Sequence, residues 1–362
     1  MGLSEQQEYI VENSTDKSIF LASAACGKTT VLTEKVRRLL RQGIDPKKIV
    51  VITFTNTAAN EMKERLMSDY KEGLYIGTIH GLANQLLLRN GFDTSSILSS
   101  KEKNKYDLLF MEANKYRAYM PQYDWLLLDE AQDSDEAQFQ FMFDNLQPKH
   151  FFIVGDLKQA IYAFNKKTAQ PLINLSKKPG VQIFEATENY RNGTNILAFA
   201  KKIIAPSGNV DKSKPKRIAH GAVVETFLTN KEMANLIKNS EDNYSDWCVL
   251  IYTRNNIDDM IRILNKEGIP AETFKQGDNS KQQLEHLMES DTVKVLTPWS
   301  AKGLEWKNVI VKDTNKTDQV KECYENVMYV CATRAKDRLY WFPRFRKKKK
   351  TIKFGDKVFE WE

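Results

Sequence analysis

Short apolar runs alternate with amphipathic stretches along almost the whole chain, and that alternation predicts an α/β protein with parallel sheets flanked by helices. Strands are expected at residues 49–54, 125–129, 151–155, 181–187, 222–228, 247–252, 293–297 and 309–312, and Ile19, Phe20 and Leu21 form a further buried run. Helical patterns lie between them, as at residues 31–40, where Leu32, Val36, Leu39 and Leu40 share one face. No internal repeat and no long low-complexity segment interrupts the pattern. A Gly-, Pro- and Lys-rich stretch, PSGNVDKSKPKR, follows the first set of strands. The expected division is therefore residues 1–190 and 191–362.

The first apolar run leads into ASAACGKTT, residues 22–30. Small residues carry the backbone from a strand end to Gly27, Lys28 and Thr29, where a helical pattern begins, and this is the form of a phosphate-binding loop. Its backbone N–H groups turn inward on a polyphosphate and the helix N-terminus adds its dipole. Lys28 reaches the β and γ phosphates, and the Thr29 hydroxyl ligates Mg²⁺. The general pattern has Gly where Ala22 stands, and Ser23, Ala24, Ala25, Cys26 and Thr30 complete the stretch. Because Cys26 borders the phosphate position, it is expected to react with thiol reagents; the other cysteines read as buried thiols.

Further along, WLLLDEAQD places Asp129 and Glu130 at a strand end. A charge pair leaving a buried strand is costly unless it is used or paired. Asp129 is expected to hold Mg²⁺ and Glu130 to deprotonate the attacking water. Gln159 stands just past the next strand, where its amide can sense a γ-phosphate, with Tyr162 and Phe164 close by in sequence. Gln7, upstream of the loop, carries the donor and acceptor needed for the Hoogsteen edge of adenine. Phe54 has two readings, a core ring or an aromatic at the ligand-binding edge of a parallel sheet.

Charge narrows the choice of partner. Fifty-four Lys and Arg against 47 Asp and Glu leave +7, and six of seven residues in RFRKKKK (344–350) are cationic. That run reads equally as a solvated tail or as a contact for a phosphate backbone. No apolar run approaches the roughly 20 residues needed to span a bilayer, and the N-terminus lacks the apolar core of a signal peptide, so a cytoplasmic location is expected.

The series LSEQQ, ASAACGKT, TFTNTAANEM, GTIHG, LLLDEAQD, VGDLKQAIYAF, ENYRN, VKVLTPWSAKGLEW and YVCATRAKDRL, in this order, resembles superfamily 1 DNA helicases of the UvrD, Rep and PcrA type. The resemblance implies two RecA-like P-loop NTPase domains with ATP and Mg²⁺ in the cleft, and 3′-to-5′ movement on single-stranded DNA. By the same resemblance Gln7 reads adenine, Tyr190 stacks on it and Glu305 hydrogen-bonds the ribose. Lys28 and Thr29 hold phosphates and metal, Asp129 and Glu130 carry the hydrolytic chemistry, and Gln159 couples the γ-phosphate to DNA. Arg191 and Arg334 take the part of arginine fingers. Phe54, Asn56, His80, Tyr162, Phe164 and Trp299 fall at positions of the DNA track, where stacking tolerates any base.

Departures from that pattern also carry expectations. Ala25 and Cys26 stand in place of Gly and Ser in the loop, Thr30 in place of Arg, Trp299 in place of His, and Asn165 where Arg is frequent. The inserted segment at residues 82–123 is short, and the second insertion, at 255–292, reduces to one or two helices with connectors. Such a chain is expected to be a translocase or helicase acting as a monomer on single-stranded DNA and 3′-tailed duplex. The alternative is a DNA-stimulated ATPase module that works with a nuclease, replication or recombination partner.

Overall fold

A computed structural model describes residues 2–100, 105–162, 169–252, 254–274, 289–312, 315–317, 320–342, 350–354 and 357–361. The chain forms two compact units, Met1–Ala22 with Gly27–Ala186, and Ser23–Cys26 with Thr187–Glu362. The expected division after residue 190 thus falls after Ala186, because the first sheet is complete there and the next short strand pairs with residues 214–215. Four residues of the loop, 23–26, group with the second unit.

The first unit is built on β1 (Lys17–Ala22), β2 (Ile49–Thr53), β3 (Tyr75–Thr78), β4 (Trp125–Leu128), β5 (His150–Gly155) and β6 (Gln182–Ala186). They pair in the order β3-β2-β4-β5-β1-β6, every pair parallel. Ile19 faces Ile153 on one side and Ile183 on the other, so β1 is an interior strand and its loop emerges between β5 and the edge strand β6. Parallel strands covered on both faces need apolar residues at successive positions, which is why the β2 sequence IVVIT is buried throughout.

Around the sheet lie α1 (Glu5–Asn13), α2 (Lys28–Arg41), α3 (Asn56–Leu66), α4 (Ile79–Arg89), α5 (Ser95–Ser99), α6 (Lys105–Lys115), α7 (Glu136–Gln140) and α8 (Gln170–Ser176). Ser4 starts α1 through a capping box, accepting from Gln7 N while its own N–H donates to Gln7 Oε1. Leu126 and Leu128 of β4 and Ile153 of β5 join one core with Leu82, Leu86, Leu109, Phe110 and Leu172 of α4, α6 and α8. Period-two alternation turns Trp125, Leu127 and Phe152 to the opposite face.

On that opposite face Lys35 of α2 is buried, its Nζ 5.3 Å from the Trp125 ring centroid and 5.7 Å from that of Phe152. Ser14 satisfies it, with Oγ at 2.7 Å and the carbonyl oxygen at 3.1 Å. Burial, and after it the charge of Arg38, lowers the Lys35 amine to about 8. An unfolded lysine keeps its proton up to about 10.5, so between pH 8 and 10.5 the unfolded chain binds more protons and stability rises with pH. Urea denaturation of the protein and of Lys35→Met should show their stability difference changing by about 3 kcal/mol across that window. A flat difference would mean that the amine keeps its proton on folding.

The second unit contains β7 (Glu188–Asn189) and β8 (Lys214–Pro215) as a separate pair, then β9 (Ala222–Glu225), β10 (Trp247–Leu250), β11 (Ala271–Glu272), β12 (Val293–Leu296), β13 (Trp306–Val311), β14 (Ala335–Trp341), β15 (Lys350–Phe354) and β16 (Lys357–Trp361). The main sheet runs β11-β12-β10-β13-β14-β9-β15-β16, parallel from β11 to β9, with β15 and β16 antiparallel at the end. Helices α9 (Thr194–Ile204), α10 (Asn230–Lys238), α11 (Arg254–Lys266) and α12 (Tyr324–Ala332) accompany it. Within the second insertion position the described residues form α11 and β11. Most of the basic run, 344–349, lies outside the described residues, and Lys350 opens β15.

Candidate nucleotide site and nucleic-acid face

In the first unit the groups expected to meet phosphate and metal converge at the carboxyl ends of β1 and β4. Helix α2 begins at Lys28 behind Gly27, which has φ +79° and provides no side-chain cap. An uncapped 14-residue helix directs backbone N–H groups and its positive end at the loop. Lys28 is buried and its Nζ donates to Ala22 O at 3.3 Å. Thr29 Oγ1 lies 3.1 Å from Asp129 Oδ2. Two hard oxygens at that separation suit neighbouring corners of an octahedral Mg²⁺ shell, whose ligands at about 2.1 Å stand about 3 Å apart. Residues Thr29 and Asp129 therefore fit the metal that the resemblance assigns to them.

Asp129 is buried, and that burial, followed by the charge of Glu130, pushes its carboxyl up to about 7 against the opposing pull of Lys28 and Thr29. Glu130 sits at φ +50°, in the left-handed region that costs a non-glycine residue roughly 1–2 kcal/mol. Its N–H donates to Asp129 Oδ1 at 2.9 Å, and Gln132 Nε2 donates to its carboxylate. The other end of the Gln132 amide, Oε1, accepts from Asp156 N at 2.9 Å, and Asp156 Oδ2 accepts from Gln159 Nε2 at 2.7 Å. Gln132 and Asp156 thus join Glu130 to Gln159 across the ends of β4 and β5. Neither was singled out in the sequence, although both sit inside quoted motifs.

Gln7 lies against the loop, and a Cβ on Gly27 would stand 2.2 Å from Gln7 Nε2. Glycine at 27 is favoured by its positive φ, and a side chain there would also displace the end of Gln7. Thr30 is exposed on the first turn of α2.

In the second unit residues 23–26 are tightly held. Ser23 Oγ donates to Asp211 Oδ1 at 2.7 Å, Asn189 Nδ2 to Ala24 O at 3.0 Å, and Tyr190 N to Ala25 O at 3.1 Å. Ala25 adopts φ +61°, so the alanine that replaces glycine still takes the conformation glycine favours. Cys26 is 1% exposed, so the expected reactive thiol is buried with the other three cysteines. Asp211 also accepts from Tyr329 Oη at 2.8 Å and from Ser213 N at 2.9 Å. Against its burial, hydrogen bonds from Ser213, Ser23 and Tyr329 hold its carboxyl below the ordinary range. The sequence marked this stretch only as a boundary.

The other expected residues of the second unit are gathered in part. Arg191 pairs with Glu305 and donates to Thr333 O at 3.2 Å, while Lys336 Nζ lies 2.7 Å from Glu305 Oε1. Burial would raise the Glu305 carboxyl, yet Arg191 and Lys336 hold it down to about 2. Arg334 is 1% exposed, and its guanidinium donates to Val330 O and Leu304 O, each at 3.0 Å. Tyr190 keeps 41% of its surface exposed.

Of the residues expected on DNA, Phe54 follows β2 and packs on Tyr162, ring centroids 5.1 Å apart. Asn56 is exposed at the start of α3. His80 follows β3, the neighbour of β2, at the same carboxyl edge. In the second unit Trp299 lies 6.4 Å from Tyr252. Phe164 and Asn165 lie outside the described residues.

Two family models match the chain. The UvrD/REP helicase N-terminal domain matches residues 3–113 and 89–180, and the UvrD-like helicase C-terminal domain matches residues 293–341. The chain belongs to the UvrD/Rep helicase family, whose members have two RecA-like domains. It is 26% identical over 320 residues to the ATP-dependent DNA helicase Rep of Salmonella typhimurium, covering 64% of this chain and 48% of that protein. With the ATP-dependent DNA helicase PcrA of Leuconostoc citreum it shares 25% identity over 293 residues, 56% of this chain and 39% of PcrA. With the ATP-dependent DNA helicase UvrD1 of Mycobacterium tuberculosis the figure is 23% over 378 residues, 74% of this chain and 49% of UvrD1. The chain thus spans about half or less of the length of these relatives. Among the described residues no helix is long and apolar enough to cross a membrane.

Proposed function

We propose that this chain is an ATP-driven motor that hydrolyses ATP with Mg²⁺ and moves 3′ to 5′ along single-stranded DNA. The observation that carries the reading is the convergence of Lys28, Thr29, Asp129 and Glu130 on one end of the first sheet, in a chain belonging to a helicase family. Bound Mg²⁺ would supply charge neutralisation at the β and γ phosphates. Lys28 then exchanges its Ala22 carbonyl for phosphate oxygens, and Glu130 takes the proton from the attacking water. Gln132 holds that carboxylate in place, and through Asp156 the same hydrogen-bond chain ends on Gln159, the residue assigned to sense the γ-phosphate. The names of the relatives, each an ATP-dependent DNA helicase, support a DNA substrate. In this reading Gln7 and Tyr190 contact adenine, Glu305 the ribose, and Arg191 and Arg334 the charge that develops on the phosphates. The motor acts as a monomer in the cytoplasm.

A second reading is favoured by the short insertion. Residues 82–123, where the family places a sizeable subdomain, contribute among the described residues little more than the end of α4, α5 and α6. In this reading the chain is a DNA-stimulated ATPase that separates strands only with a protein partner. Steady-state ATP hydrolysis with and without single-stranded DNA, alongside unwinding of 3′-tailed and 5′-tailed duplexes, tests both. Stimulation with unwinding from the 3′ tail alone is the result expected of the motor. Stimulation with no unwinding selects the partner-dependent module, and absence of stimulation overturns both.

A further inference from the structure

Arg191 and Arg334 are joined in the second unit by a carboxamide that belongs to neither. Asn192, the residue after Arg191, is fully buried. Its Nδ2 donates to Thr333 O at 3.1 Å and to Ala335 O at 2.6 Å, the carbonyls on either side of Arg334. The carbonyl between them, Arg334 O, accepts from Trp306 N at 3.0 Å, so the backbone of this turn is held at every peptide group from Thr333 to Ala335. The other end of the amide is fixed as well. Asn192 Oδ1 accepts from Asn189 Nδ2 at 3.0 Å, and Asn189 Oδ1 accepts in turn from the N–H groups of Arg191 and Asn192, at 3.1 and 2.8 Å. Thr333 O also takes a bond from Arg191 Nη1 at 3.2 Å, so one carbonyl meets both the arginine and the amide beside it.

Resting on the reading that Arg191 and Arg334 meet the charge that develops on the phosphates, we infer that Asn192 is a positioning residue for ATP hydrolysis, its carboxamide holding the Arg334 turn against the Arg191 segment so that the two guanidiniums act as a pair. A carboxamide suits this task. It has two donor hydrogens for the two carbonyls, an acceptor for Asn189 at its far end, and no charge to compete with the arginines. Arg334 is buried with its guanidinium on Val330 O and Leu304 O, so its direction follows from the backbone that Asn192 holds. Donors fixed in advance need no reorganisation at the moment of reaction, and a misplacement of about 1 Å can cost about 10²-fold in rate. The loss of Asn192 should fall on the chemical step, because in this reading the phosphates and metal are bound chiefly by Lys28 and Thr29.

The test is single-turnover ATP hydrolysis by the full chain, with protein in excess over ATP and single-stranded DNA saturating, because the rate constant then does not depend on the fraction of active protein. Asn192→Ala should lower that rate constant about 10- to 100-fold, while affinity for a fluorescent ATP analogue stays within about threefold. Asn192→Ser, which retains one donor, should recover part of the loss, and it takes the place of Asn192→Ala throughout should alanine prevent folding. The deciding comparison is made in Arg334→Ala, followed over hours so that the slowed reaction stays measurable. There the same substitution should change the rate by less than about twofold, since a residue acting through Arg334 has nothing left to place. An equal fold-loss in both backgrounds would make Asn192 merely structural and overturn the inference, as would an unaltered rate in Asn192→Ala. An unaltered rate in Arg334→Ala itself would overturn the role of that arginine in the proposed function, and this inference with it.

Discussion

Lys28→Ala should reduce ATP turnover to background, with single-stranded DNA present or absent, a fall of at least about 10²- to 10³-fold. The size of the effect follows from where the amine sits. It is buried at the mouth of the loop, beside the uncapped end of α2, with Ala22 O as a hydrogen-bond acceptor at 3.3 Å. A triphosphate offers charged oxygens in place of that neutral carbonyl, and charge-assisted bonds are roughly twice as strong as neutral ones. Alanine leaves the loop with backbone N–H groups and no charged side chain to meet the phosphates. Binding should therefore suffer as well as chemistry, which thermal denaturation can report. Ligand that binds only the folded protein stabilises it by RT ln(1 + L/Kd) at free concentration L, so the melting temperature rises with ligand concentration and with affinity. The rise seen with ATP and Mg²⁺ should shrink or vanish in Lys28→Ala while the melting temperature without nucleotide changes little. Unaltered DNA-stimulated turnover would remove Lys28 from the site.

How far the sequence reached can be judged from where its signals come from. β1, β2, β4 and β5 were legible because parallel strands buried on both faces need unbroken apolar runs, and these are visible without neighbours. Asp129 and Glu130 were legible for a related reason, since two carboxylates at the end of such a run have no structural excuse. Strand β3, YIGT, is four residues with a central glycine, and β14, AKDRLYW, has three polar residues directly after its first alanine; neither makes a run. Asp211 was out of reach because Ser23, its partner, is 188 positions away in the chain. The pairing of Arg191 with Glu305, 114 positions apart, is also long-range. Motif order assigned each of these two a separate role, and only tertiary structure brings them together. Gln132 lies inside a quoted motif, yet its importance rests on an amide whose two ends face different strands, which spacing does not reveal.

Glu130→Gln should leave ATP and single-stranded DNA bound while lowering turnover by about 10²- to 10⁴-fold, the range that a positioned general base supplies. The substitution is nearly isosteric, and the amide oxygen can still accept from Gln132 Nε2, so the network to Asp156 and Gln159 need not rearrange. What is lost is the capacity to take a proton. The backbone favours this role, because a non-glycine residue at φ +50° persists only where its surroundings hold it, and such strain gathers at working sites. Asp129 should behave differently from its neighbour. It is the buried member of the pair, with one oxygen on Thr29 and the other on the Glu130 N–H, placed to ligate and not to meet water. Two measurements separate the roles. Single-turnover hydrolysis in Glu130→Gln should be slow at saturating Mg²⁺ and should not recover as the metal is raised. Asp129→Asn should instead weaken the Mg²⁺ dependence itself, shifting the half-saturating metal concentration upward. Recovery of Glu130→Gln at high Mg²⁺ would make that carboxylate a metal ligand and overturn its assignment as the base.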